Sequence, residues 1–170
     1  MTGRFTDYPE ERLRISSIDS RCTPDERAMR FAIMNAIIDR GGIVHPDSVA
    51  GRLGVGTEVA RSLTASLAEK NVVVAGDDGA IRVSYPVSAM PTAHRVSLAD
   101  GRAFHAMCAI DALGSAFTFR QDIEVATSCH RCRTPIRVVV RDGEVVDVEP
   151  AGLHVVHADL NVQENWAGSC

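Results

Sequence analysis

No stretch of this sequence is apolar for long enough to cross a membrane. The richest, Phe31 to Ile38, is interrupted by Asn35 and falls far short of the roughly 20 residues a spanning helix needs. The start, Met1 to Glu11, has no apolar core of the kind a secretory signal carries. A basic excess is missing too: the formal net charge is −4, with −1 before Tyr85 and −3 after it. Neutralising nucleic-acid phosphates takes clustered Lys and Arg, so this balance weighs against nucleic acid as the main partner. There is no internal repeat and no low-complexity segment. The 5 cysteines are an odd number and cannot all pair internally. With no targeting signal in view, the expected setting is the reducing cytoplasm. Cysteines there serve as thiols, ligands or nucleophiles rather than as a disulfide framework.

What the sequence does have is enough chain for a core. Its 170 residues are 45% hydrophobic, and a chain near this size buries roughly 70% of its unfolded surface. After a polar arm, Thr23, Pro24 and Glu26 form a capping-box start. Ala28, Phe31, Ala32, Met34, Ile37 and Ile38 then recur at helical spacing, and Gly41-Gly42 ends the helix. A short helix follows over Asp47 to Leu53. Gly54-Val55-Gly56 turns the chain, and Thr57 is expected to cap a third helix running to Lys70, with Val59, Leu63 and Leu67 on its apolar face. Val72–Ala75 and Ala80–Val83 read as two strands around the Gly76-Asp77-Asp78-Gly79 turn. Three helices and a hairpin predict a winged helix-turn-helix. Arg61 and Lys70 are the cations its third helix would offer to DNA, offset by Glu58 and Glu69.

The second half changes character. His94 to Leu98 alternates like a strand, Asp100-Gly101 turns, and Arg102 to Ala106 returns. A helix is expected around Met107 to Ala116. Strands are expected over Ile123–Thr127, Ile136–Val140 and Val145–Val148, the last two joined by Asp142-Gly143. The fold class is therefore α+β: a winged helix-turn-helix-like domain, then a small mixed or antiparallel sheet domain whose helix carries a reactive cysteine. The expected division is an arm over 1–21, the winged-helix-like domain over 22–85, a linker over 86–92 and the thiol domain over 93–170.

Two constellations carry chemistry. Cys108 and Asp111 stand three apart, a spacing that puts a thiol and a carboxyl on one helix face. The carboxyl can then deliver or take a proton beside sulfur. Taken alone, a cysteine in an apolar helix is ordinarily a small hydrophobe. Cys129-His130-Arg131-Cys132 is a Cys-x-x-Cys turn between two strands. With His154 and His157 it would complete a four-ligand zinc site; two reduced thiols in a turn are the equal alternative. Cys22 has no evident role, and His45, His94 and His105 have no evident partner.

Four segments occur in a definite order. They are the strand ending in Cys108-Ala109-Ile110-Asp111; Ser128-Cys129 with Thr134-Pro135-Ile136; Val148-Glu149-Pro150-Ala151-Gly152; and the stretch from Asp159 to Cys170. In these the second half resembles the organomercurial (alkylmercury) lyase family, which also places a winged-helix-like domain first. The resemblance implies protonolysis of a carbon–mercury bond, giving a hydrocarbon and Hg(II). Cys108 matches the first thiol, Asp111 the proton donor and Cys170 the second thiol. Cys129 matches a cysteine more structural than catalytic, and Cys132 is an addition. No cofactor is required beyond mercury as substrate and bound product, a structural zinc at Cys129/Cys132 aside. Cellular thiols or a mercuric-ion reductase would accept the Hg(II). Family members continue past the second thiol, so a shortened or divergent member is expected. Two other readings stand beside it: a non-catalytic thiol protein binding Hg, Zn or Cu, and a metal-responsive winged-helix regulator.

Overall fold

The computed structural model describes residues 18–155. A single 3-10 turn, Ile18–Arg21, precedes helix α1, Pro24–Arg40. The expected arm thus ends in structure: Arg30 pairs with Asp19, and Arg27 Nη1 donates to the Cys22 carbonyl at 2.7 Å. The capping box forms as expected. Glu26 N–H donates to Thr23 Oγ1 at 3.3 Å, and Thr23 N–H donates to the Glu26 carboxylate at 2.6 Å. Gly41 ends the helix at φ 70°, a left-handed conformation that costs glycine little.

Helices α2, Pro46–Leu53, and α3, Thr57–Glu69, pack on α1. The N-cap of α3 is Gly56, so Thr57 is its first residue rather than its cap. Its inward face is also turned from the expected one. Ala60, Thr64 and Leu67 are buried, whereas Val59 is 49% exposed. Small Ala60 allows close approach, and the Thr64 hydroxyl is satisfied by the Ala60 carbonyl at 2.8 Å, so a polar residue can face the core. Strands β1, Val73–Ala75, and β2, Ile81–Ser84, pair antiparallel and complete the first of two compact units, which ends at Ser84. Its core is built on Met29, Ile33, Met34, Ile37, Val49, Leu67 and Ile81.

The second unit is an antiparallel sheet of β3 (Val87–Ser88), β4 (His94–Leu98), β5 (Ala103–Ala106), β6 (Ile123–Ser128), β7 (Pro135–Arg141) and β8 (Glu144–Glu149). Their spatial order is β3-β5-β4-β6-β7-β8. The stretch 86–92, read above as a linker, contains β3, which pairs with the end of β5 through Val87↔Ala106. Helix α4, Ala109–Phe119, connects β5 to β6 and lies against β4, β5 and β6. Val96, Leu98, Phe104, Ala106, Ile123 and Val125 are buried and share one face by register. The Phe104 and Phe119 rings, 5.4 Å apart, mark that face as the one α4 covers. No described helix is long and apolar enough to cross a membrane.

Candidate functional site

The site is built where β5 ends and α4 begins. Cys108 is the N-cap of α4, with extended backbone at φ −144° and ψ 179°; it is not inside the helix as the sequence suggested. At the cap its sulfur faces the first free amides of the helix. Asp111 N–H donates to Cys108 Sγ at 3.5 Å, and the thiol donates to Asp111 Oδ2 at 3.2 Å. The pair is thus a sulfur version of the reciprocal contact between an N-cap and the third helical residue. Ala112 N–H donates to the Cys108 carbonyl at 2.9 Å, and Ser115 Oγ donates to the Asp111 carbonyl at 2.7 Å. Both fix the backbone that presents the two groups. Cys108 and Asp111 are each half-buried, so a small molecule can reach sulfur and carboxyl together. The partial positive charge of a helix N-terminus favours an anion there.

Strand register brings more groups to this end of the sheet. His94 sits opposite Ala106, two residues before Cys108. Its Nδ1 is 3.0 Å from Thr127 Oγ1, two residues before Cys129. Partial burial pushes the His94 imidazole below its ordinary range, favouring the neutral ring. Thr92 Oγ1 donates to the Ala106 carbonyl at 2.6 Å, and His105 Nδ1 lies 2.9 Å from the Thr92 carbonyl. These bonds tie the start of β4 to the segment that delivers Cys108. Neither histidine had a partner visible in the sequence, because Thr127 lies on a neighbouring strand and Thr92 in the segment just before β4, and only the folding of the sheet brings them close.

The Cys-x-x-Cys turn joins β6 to β7. Cys129 N–H donates to the Thr134 carbonyl and Arg133 N–H to the Cys129 carbonyl, both at 2.9 Å. Cys132 Sγ lies 3.1 Å from Thr134 Oγ1. The Thr134 hydroxyl first, then its backbone and the Cys129 thiol, bring the exposed Cys132 thiol down to about 7. His154 is described and exposed; His157 and Cys170 lie outside the described residues. Among the described residues, no three His, Cys, Asp or Glu side chains gather as a metal cage. Cys22 is buried, and its thiol donates to the Ile18 carbonyl at 3.5 Å, a structural role.

Residues 87–170 match the family model described as MerB, alkylmercury lyase. The chain is 27% identical over 121 residues to an alkylmercury lyase of Staphylococcus epidermidis. That alignment covers 71% of this chain and 54% of the relative, so the chain spans about half of that protein's length. The fold is similar to a crystal structure of the mercury-bound form of MerB2, with a TM-score of 0.62 and 25% identity. That match covers 79% of this chain and 64% of the other.

Proposed function

We propose that this chain is an alkylmercury lyase, the family whose model its residues 87–170 match, and that it cleaves carbon–mercury bonds by protonolysis. The observation that carries the reading is the Cys108 thiol donating to Asp111 at 3.2 Å. When sulfur bonds to the mercury of R–Hg⁺, its proton passes to Asp111 and leaves a carboxylic acid beside the new S–Hg–R unit. Soft sulfur is the ligand mercury prefers. A second thiolate raises the electron density on mercury and makes its carbon more basic. The Asp111 proton then moves to that carbon, R–H leaves, and Hg(II) stays on sulfur. Cys170 is the second thiolate in this scheme. Neutral His94, on the α4 face of the sheet, orders the site through Thr127. The bound Hg(II) would pass to cellular thiols or to a mercuric-ion reductase in a reducing cytoplasm.

The first unit we read as a winged-helix-like scaffold, not a DNA reader. Its two offered cations are engaged: Arg61 with Asp47 at 2.5 Å and Glu58 at 2.7 Å, and Lys70 with Glu26 at 2.6 Å. The test is incubation of the full chain with phenylmercuric acetate and excess thiol. Benzene should accumulate in proportion to protein. Mercury bound without benzene above the thiol-only blank would leave a thiol metal-binding protein in place of an enzyme.

A further inference from the structure

The lyase reading makes no use of the turn between β6 and β7. We propose that Cys129 and Cys132 form a second metal site, a two-thiolate clamp for a soft, thiophilic cation, separate from Cys108. Three observations carry this. First, the turn is built. The β6–β7 ladder runs to Ser128↔Pro135, and the 2.9 Å bonds from Cys129 to Thr134 and from Arg133 to Cys129 close it. Arg133 takes the left-handed conformation at φ 60° that the reversal requires. Both cysteines therefore sit in one tight loop, and neither is in a disulfide.

Second, access is graded. Cys129 is half-buried at the strand end and Cys132 is exposed. An arriving cation meets an open sulfur first and is then held by an anchored one. Third, the chemistry of the loop selects a soft ion. From Cys129 to Pro135 there is no carboxylate, and the charged neighbours are Arg131 and Arg133. Hard cations need oxygen ligands, whereas thiolates select soft metals. A tetrahedral zinc site takes four protein ligands, but no described His, Cys, Asp or Glu, Cys108 included, joins these sulfurs in a group of three. Two sulfurs suit a cation content with two ligands, of which Hg(II) is the clearest case. Binding forms two metal–sulfur bonds and releases two thiol protons; nothing is oxidised or reduced.

The experiment uses the full chain carrying Cys108→Ser, so it does not depend on carbon–mercury cleavage. Mercuric chloride is added with excess glutathione, small molecules are removed, and retained metal is measured by mass spectrometry. A single equivalent per chain is expected to remain. Adding Cys132→Ser removes the chelate, lowers affinity on the order of a hundredfold or more, and leaves the chain empty under the same competition. The exposed position lets the double variant fold, which far-UV circular dichroism checks. Mercury held undiminished by the double variant, or none held by Cys108→Ser, would overturn the clamp. So would zinc chloride retained as well as mercury, since that points to a four-ligand site.

Discussion

Replacing Cys108 with serine separates two jobs that one sulfur performs. As an N-cap, sulfur accepts the Asp111 amide at 3.5 Å, a long bond, and serine is among the best capping residues. Cys108→Ser should keep the melting temperature or raise it, by the equivalent of up to about 1 kcal/mol. Hydrocarbon release should be lost, because a hydroxyl is a poor ligand for mercury. A fall in both together would mean the sulfur is mainly structural. Asp111→Asn tests the proton. The amide keeps the position and size but has no acid proton to give, so turnover should drop about 10²- to 10⁴-fold, while the mercury adduct still shows in the intact mass. The closeness of Cys108 and Asp111 was readable from their spacing. Its physical basis was not, since capping and helix-face geometry both bring positions three apart together. His94 was not readable, because its partner Thr127 lies 33 positions away on another strand.

Among the elements, α1 and α3 are locked by one buried carboxylate. Glu26 closes the α1 capping box and also accepts from Ser66 Oγ at 2.6 Å and Lys70 Nζ at 2.6 Å. Lys70 first, then Ser66 and the Thr23 amide, hold it down to about 2. An unfolded glutamate titrates near 4.3. The native state thus favours the charged form, and this contribution is whole above about pH 5 and drains as pH falls toward 2. Glu26→Gln should cost about 1–3 kcal/mol at neutral pH. The gap from the parent chain should close on acidification, as thermal melts across pH would show; a constant gap would remove the linkage. The inward face of α3 gives a second check. Leu67→Ala should cost about 2–5 kcal/mol and Val59→Ala within about 0.5 kcal/mol, read from urea midpoints. Ranking by hydrophobicity favoured Val59 and Leu63, because it does not see that a threonine satisfied within its own helix can be buried. Strand β3 escaped for a different reason: two residues, Val87–Ser88, carry no periodicity, and only pairing defines them.

For the whole molecule, the division after Ser84 leaves every residue of the proposed chemistry in the second unit. There the antiparallel order has a consequence. The end of β5, the start of β4, the end of β6 and the start of β7 meet at one edge of the sheet, and β8 ends there too, with Glu149 opposite Arg137. The alternation of strands and turns made these strands legible one by one. Their order was not legible, since it is set by the β5–α4–β6 crossover, which places β4 between its neighbours. In the proposed scheme Cys170 is the second thiolate, so Cys170→Ser is expected to keep the R–Hg adduct on Cys108, because one thiolate suffices to bind. It should slow hydrocarbon release about a hundredfold or more, since the charge that a positioned second sulfur places on mercury is what makes its carbon basic, and positioning supplies much of catalysis. Single-turnover release of benzene from the preformed adduct measures that step alone. An unchanged rate would mean that the second sulfur, if one is used, is not Cys170.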